Sequence, residues 1–257
     1  MRIFQRKRIV LGVAGSIAAY KAADLASKLT QAGAQVDVIL TRAAEHFITA
    51  LTFQSVTGRK AYTDTDLWGG EAHVLHVGLA GHADVLVIAP CTADTLAKLA
   101  HGLADNLLTV TALASNAPLV LAPAMDGEMF AAAATQENLA TLQKRGALVL
   151  GPTEGHLASG LIGKGRMIEP AEILGHLRLV LAKNGPLAGK KIVVTAGGTQ
   201  EPLDPVRVLT NRSSGKQGYA LAQAALDAGA QVTLISAATS LPAPIGARLI
   251  AATTARQ

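Results

Sequence analysis

The stretch that most constrains the fold is Asp84–Pro90 (DVLVIAP), an almost unbroken apolar run between small and polar residues. Such a run reads as a central strand of a parallel sheet buried on both faces, because a strand with one wet face would alternate polar and apolar positions. It passes into Cys91-Thr92-Ala93-Asp94, small residues that open a helix at the carboxyl end of the strand. Open α/β sheets bind ligands at such ends. Just upstream, His76 falls on a short helix leading into the strand. A lone histidine is as consistent with a surface helix, the reading given to His73, His82 and His101. Its place before this strand is what favours a part in a pocket.

The rest of the chain repeats the strand–helix alternation. Lys7–Val13 reads as a first strand and Ser16–Gln31 as an alanine-rich amphipathic helix. Gln35–Leu40 is a second strand, after which Thr41-Arg42-Ala43-Ala44 opens another helix. Helices are expected over Asp105–Ser115, Ala131–Arg145 and Pro170–Leu181, with strands at Pro118–Ala122 and Ala147–Leu150. This pattern predicts an α/β fold with a doubly wound parallel sheet. Gly151–Glu169 holds five glycines without periodicity and reads as a functional loop or flap.

Lys183–Gly189 (KNGPLAG) has linker composition, and the pattern then restarts with the strand Lys191–Thr195. The expected organisation is a first domain over 1–182, a linker over 183–189, and the start of a second Rossmann-like domain over 190–257. Ala32-Gly33-Ala34-Gln35-Val36 reappears as Ala228-Gly229-Ala230-Gln231-Val232, each entering an apolar strand, as a shared helix-to-strand corner would. Only two clear strands are legible in the second part, so it is expected to be an incomplete domain.

Composition excludes several classes. Half the residues are hydrophobic and only 3% aromatic, which argues against a nucleic-acid binder that stacks bases. The net charge of +5 has no basic cluster beyond Arg6-Lys7-Arg8 and Lys190-Lys191, both read as solvated strand flanks. No apolar run approaches the ~18 residues of a membrane span, and no signal-peptide pattern precedes the first strand. The single cysteine, Cys91, rules out an intrachain disulfide and a Cys₂His₂ zinc site, and fits a reducing, cytoplasmic setting.

Several segments carry two readings. Gly12-Val13-Ala14-Gly15-Ser16-Ile17 is not GxGxxG, yet its amides and the Ser16 hydroxyl suit one phosphate; a tight turn capped by Ser16 fits equally. Thr41 is either a phosphate or ribose contact or a helix cap. Pro123–Phe130 (PAMDGEMF) places Asp126 where a helix cap would stand and spaces Met125 and Met129 as core residues would be. Asn211–Lys216 (NRSSGK) has a phosphate-loop flavour without matching GxxxxGK[ST]; the alternative is a polar turn before a helix over Gln217–Ala228.

Taken in order, GVAGSIAAYKA, the segment from His76 to Pro90, TADTLAKLAHGLADNLL, PAMDGEM, GLIGKGRM and TAGGTQEPLDPVR…NRSSGKQG resemble the bifunctional phosphopantothenoylcysteine decarboxylase/phosphopantothenate–cysteine ligase family of coenzyme A biosynthesis. The resemblance runs from Arg8 to the end. It implies a first domain of the homo-oligomeric flavin-containing cysteine decarboxylase type, with FMN held between subunits of a trimer or dodecamer and a small-molecule substrate. Decarboxylating a cysteinyl amide needs an electron sink. In this family FMN supplies it by oxidising the thiol side to a thioaldehyde, and later reduces the ene-thiol. By match, His76 is the base of the oxidation. Gly15, Ser16, Ile17, Thr41, Pro90, Thr92 and Ala93 fall where the family holds FMN. Asp126, Met129, Gly160, Lys164 and Arg166 fall on its substrate side. In the second domain Gly197, Gly198 and Asn211 match the nucleotide region of the ligase, which uses CTP and Mg²⁺. Its later lysines lie outside the chain, so ligase activity is expected to be absent.

Two positions depart from the family. Asp126 stands where asparagine is usual, and Ser159 where the flap carries its proton-donor cysteine. A serine hydroxyl is far less acidic than a thiol of pKa about 8.5, so Ser159 would relay a proton or position a water. Two rival readings are a regulatory flavoprotein that binds a protein partner, and a flavin prenyltransferase. The fused second unit and the flap motif speak against the latter.

Overall fold

The computed structural model describes residues 3–68, 74–237 and 239–257; His73 lies outside them. The first half builds one sheet from β1 (Arg8–Val13), α1 (Ala19–Gln31), β2 (Gln35–Leu40), α2 (Ala50–Thr57), β3 (Ala61–Tyr62), α3 (Leu75–His82) and β4 (Val85–Cys91). It continues through α4 (Ala93–His101), α5 (Leu107–Ala114), β5 (Leu119–Pro123), α6 (Gly127–Ala131), α7 (Ala133–Lys144) and β6 (Leu148–Val149). All six strands are parallel, in the order β3-β2-β1-β4-β5-β6. β4 is buried at every residue, as its apolar run requires. Leu86 and Ile88 of β4 share one core with Val10, Leu96, Leu107, Leu108 and Leu121. Each such side chain contributes roughly 1.5–3 kcal/mol of hydrophobic stabilisation.

Strand order reverses between β1 and β4, so the loops leaving these two strands diverge and open a crevice at the carboxyl edge. Over that edge reaches a two-stranded antiparallel hairpin, β7 (Thr153–His156) and β8 (Ile162–Arg166). The chain then enters α8 (Pro170–Ala182).

Contacts divide the chain at Leu174/Gly175. The second unit contains β9 (Lys191–Ala196), β10 (Gln200–Pro202), β11 (Val208–Thr210), α9 (Lys216–Asp227), β12 (Gln231–Ser236) and β13 (Arg248–Ala251). β13-β12-β9 form a parallel sheet and β10-β11 a separate antiparallel pair. Tyr219, Ala222 and Leu226 of α9 pack with Ala196, Val232 and Leu234 of this sheet.

The structure corrects four expectations. Gly151–Glu169, expected as a loop or flap without periodicity, contains a hairpin; six of the nine residues in its strands are exposed, so no apolar alternation marks them. The first helix begins at Ala19, not Ser16, because Ser16 lies in the turn before it. The segment after Thr41 forms only a short 3₁₀ turn at Ala44–His46 before α2 and the edge strand β3. The second unit has a third parallel strand, β13, whose four residues are all exposed. Lys183–Gly189 is turn structure tied to the second unit, with Leu187 N donating to Ala228 O at 2.8 Å.

Candidate functional site

The exit of β1 is built to meet an anion. Ala14 N is taken by Pro90 O (3.2 Å), and the Ser16 hydroxyl accepts from Ala18 N (3.2 Å). Among the described residues the amides of Gly15, Ser16 and Ile17 have no hydrogen-bond partner. α1 begins directly after them without a side-chain cap. Free amides at a helix N-terminus are a phosphate-sized donor set. Ile17 beside them is 61% exposed, an apolar surface next to the donors.

A cavity of about 600 Å³ adjoins this turn. Ser16, Ile17, Tyr20 and Lys21 line one side, Met125 and Asp126 from the exit of β5 another, and His156, Ser159, Arg166 and Met167 of the hairpin region the third. The hairpin is pinned there by its backbone. Met125 N donates to Gly165 O at 3.1 Å. A Cβ at Gly165 would lie 2.1 Å from Met125 O, so only glycine permits the approach.

Asp126 and Ser159, the two positions expected to depart from the resemblance, meet in this cavity. Ser159 Oγ donates to Asp126 Oδ2 at 2.7 Å. Asp126 Oδ1 accepts from Glu128 N at 3.1 Å, which caps α6. The Ser159 hydroxyl first, and the Glu128 amide second, hold the Asp126 carboxyl below the usual carboxylate range. It is ionised at neutral pH. With its proton committed to Asp126, Ser159 offers lone pairs to the cavity rather than an acidic hydrogen.

A second cavity of about 550 Å³ lies on the far side of Asp126, lined by Phe130, Leu161 and Lys164 among others. Lys164 Nζ stands 5.5 Å from the Phe130 ring centroid. Met129 is half exposed and lines neither cavity; Gly160 occupies the hairpin tip with φ +84°.

The remaining first-unit candidates sit along the carboxyl edge but outside both cavities. Pro90 and Cys91 are buried, with Cys91 O accepting from Ala124 N at 3.0 Å. Burial pushes the Cys91 thiol far above its ordinary pKa, so it is no proton donor. Thr92 caps α4 by accepting from Thr95 N (3.3 Å), and Ala93 is the first helical residue. Thr41 Oγ1 accepts from Ala44 N (3.3 Å) ahead of the 3₁₀ turn, whose N-cap residue is Ala43. His76 is half-buried on the first turn of α3 and faces neither cavity. α3 packs with α5 and with the 3₁₀ turn Asp64–Trp68. Asp64 accepts from the amides of Arg42 (3.3 Å) and Leu107 (3.0 Å), which ties that turn to the edge.

In the second unit, Gly197 and Gly198 leave β9; Gly197 lies against Ala237 and Gly198 against Asn211. A Cβ at Gly198 would stand 3.3 Å from Asn211 O and 3.5 Å from Ser213 Cβ. Gly215 caps α9 alongside, so the glycine turn and NRSSGK form one loop cluster at a helix N-terminus.

Lys21 was not singled out by sequence. The signal for it was its position four residues before Leu25, on the apolar side of a helix where a lysine needs a buried partner.

Residues 3–180 match the family described as Flavoprotein, and residues 187–257 match the DNA/pantothenate metabolism flavoprotein C-terminal domain. The chain is 46% identical over 250 residues to the coenzyme A biosynthesis bifunctional protein CoaBC of Vibrio vulnificus, covering 97% of this chain and 62% of that protein. It therefore spans less than two thirds of the length of the curated relatives it matches. Among solved structures, a cysteine-to-serine variant of PPC decarboxylase complexed with pantothenoylaminoethenethiol superposes with a TM-score of 0.62 at 37% identity, covering 68% of this chain and 98% of that one. The FMN binding protein AtHal3 matches with the same TM-score at 38% identity, covering 68% and 96%.

Proposed function

The chain belongs to the Flavoprotein family, and from that premise we propose that its first unit is an FMN-dependent decarboxylase converting 4'-phosphopantothenoylcysteine to 4'-phosphopantetheine in coenzyme A biosynthesis. The observation that carries this reading is the cavity in which the free amides of the β1 exit, the Ser159–Asp126 pair and Arg166 come together. The donor set fits the cofactor: amides of Gly15, Ser16 and Ile17 for its phosphate, with exposed Ile17 as apolar surface beside it. When bound, FMN supplies the electron sink that loss of carbon dioxide from a cysteinyl amide requires.

The protein's own residues then orient and protonate. Arg166 offers the substrate an anion-binding guanidinium, the role Asp126 cannot fill while ionised. Ser159, its hydrogen held by Asp126, accepts from a water and so fixes a proton source beside the substrate carbon. His76 takes the thiol-side proton. Because His76 faces neither cavity, the reading includes a homo-oligomer in which α3 of a second copy completes the site. Among the described residues no helix is long and apolar enough to cross a membrane. A cytoplasmic enzyme of a small-molecule substrate is the setting proposed.

The second unit is read as the nucleotide-facing part of a phosphopantothenate–cysteine ligase domain, with Gly197, Gly198 and Asn211 toward CTP and Mg²⁺. The deciding experiment is carbon dioxide release from phosphopantothenoylcysteine by the FMN-loaded protein. No release under conditions where FMN is bound would end the decarboxylase reading.

A further inference from the structure

Lys21 is a buried charge that the proposed chemistry leaves unused. Its side chain is 5% exposed, on the second residue pair of α1, directly after the turn assigned to the cofactor phosphate. Nζ donates to Met167 O at 2.8 Å and to Glu169 Oε1 at 2.8 Å. The same Glu169 oxygen accepts from an Arg166 guanidinium nitrogen at 3.0 Å. Arg166 lines the cavity, and Met167 to Glu169 is the strand of chain by which the hairpin leaves toward α8. One ammonium thus fixes the hairpin's exit at two points and, through a shared carboxylate, the direction of Arg166.

Taking an ammonium out of water costs several kcal/mol unless it is paired and hydrogen-bonded. Apolar residues surround Lys21 along α1, where Ala22, Leu25 and Ala26 are fully buried, and another apolar side chain would pack there without that penalty. A buried ion pair is weak evidence for stability, and its best-attested use is to fix one arrangement among several. Here the arrangement fixed is that of the hairpin over the cavity.

We propose that Lys21 is a positioning residue: acting through Glu169, it couples the cofactor side of α1 to the hairpin and holds Arg166 toward the substrate. The role given to Arg166 rests on the decarboxylase reading; the clamp itself does not. A ligand held by the Arg166 guanidinium meets a group whose orientation is set before binding, so the clamp acts on affinity rather than on the chemical step.

The test compares wild type, Glu169→Gln, Lys21→Met, Lys21→Arg and the Lys21→Met/Glu169→Gln double variant, all loaded with FMN. Two quantities are read: amide hydrogen exchange across 153–166, and KM and kcat for phosphopantothenoylcysteine. Glu169→Gln and Lys21→Met are each expected to speed hairpin exchange and raise KM about tenfold, the loss of one charge-assisted hydrogen bond, with kcat within about twofold. The double variant is expected to be no worse than either single one, since both remove one coupling. Lys21→Arg recovers part of the lost affinity. Unchanged hairpin exchange overturns the proposal, as does a loosened hairpin with unchanged KM, or additive losses in the double variant. Should Lys21→Met not fold, Glu169→Gln carries the comparison, because that carboxyl is 57% exposed. A wild type that binds FMN but releases no carbon dioxide counts against the decarboxylase reading alone, and the exchange comparison still decides the clamp.

Discussion

The pentapeptide Ala-Gly-Ala-Gln-Val folds into the same corner at Ala32–Val36 and at Ala228–Val232, inside two quite different sheets. Gly33 and Gly229 have φ of +98° and +91°. Ala34 N bonds Leu29 O at 3.1 Å, and Ala230 N bonds Ala225 O at 3.0 Å. Gln35 N meets Lys7 O and Gln231 N meets Lys190 O, each at 2.8 Å. Around the first corner lies a six-stranded sheet whose central strand is buried on every residue. Around the second lie three strands, and β9 alternates between exposed and half-covered residues until buried Ala196 at its end. The corner is a local solution that a left-handed glycine and a few backbone hydrogen bonds suffice to fix. It is indifferent to what is built at the other end of the strands, where chemistry is placed. In the first unit that end meets a hairpin and a cavity; in the second it meets the Asn211 loop.

The sharpest way to break this comparison is to ask whether the chemistry really divides with the units. His76→Asn is expected to lower decarboxylation by roughly 10²–10⁴-fold, the usual contribution of a positioned base, with FMN content unchanged. Asn211→Ala, in the other unit, is expected to leave that rate within about twofold, as an energetically independent site should. Steady-state carbon dioxide release checks both. A comparable loss in the Asn211 variant would show that the units share one site.

Ser159→Ala probes the first unit alone. It removes the donor to Asp126 and, with it, the oxygen proposed to orient a water. Reduction of the ene-thiol is expected to slow by roughly tenfold or more, with thiol oxidation spared, since general acid–base assistance enters only the protonating step. Stopped-flow flavin absorbance separates the two half-reactions. Equal slowing of both would remove the proton-delivery role from Ser159.

The legibility of these regions follows from burial. β1, β2 and β4 announced themselves because parallel strands buried on both faces are mostly apolar, with Asp37 of β2 the buried exception, paired with Arg59. The hairpin did not, since its strands TEGH and IGKGR are held by backbone pairing and a glycine approach rather than by an apolar face. β13 escaped for another reason: RLIA is apolar but only four residues long, and each of its residues is exposed. In the site, motif order identified Asp126 and Ser159 as unusual, but their direct hydrogen bond joins positions 33 residues apart and needed the fold. The glycine turn after β1 was legible as a phosphate cradle or a capped turn, and only geometry left its amides without partners.

A smaller effect separates the two corners themselves. Gly33→Ala forces a side chain into a left-handed backbone, at a cost of about 1–2 kcal/mol, against flexible Gln5 atoms at 3.3 Å. Gly229→Ala meets the same strain and also the Ala182 carbonyl, 2.5 Å from the new Cβ, which adds roughly 1–3 kcal/mol of overpacking. Calorimetry is expected to show the larger fall in the transition of the second unit. Equal falls would mean that the corner alone, not its surroundings, sets the penalty.

The smallest expected effect concerns the charged tie each unit gives its corner helix. α1 carries buried Lys21 with exposed Glu169, while α9 carries Asp227, 2% exposed, against Arg178. Glu169 is held below the usual range for a glutamate, chiefly by the hydrogen bond from Lys21 and then by the charges of Lys21 and Arg166, which together outweigh its slight burial. A carboxyl whose folded pKa lies below its unfolded value stabilises the fold above the unfolded value, about 4.3, and loses that contribution as pH falls through the lowered value. The melting temperature of wild type should therefore exceed that of Glu169→Gln by a constant margin from neutral pH to about 5.5, and the margin should shrink below about 4. Exposure of the carboxyl keeps the margin under about 1 kcal/mol. Asp66, Asp126 and Asp204 are also lowered, but they are common to both proteins and cancel in the difference. The second unit's transition, anchored by Arg178 and Asp227, should not move with Glu169→Gln at any pH. A margin that widened on acidification, or a shift of the second transition, would show that the tie does not belong to the first unit's hairpin alone.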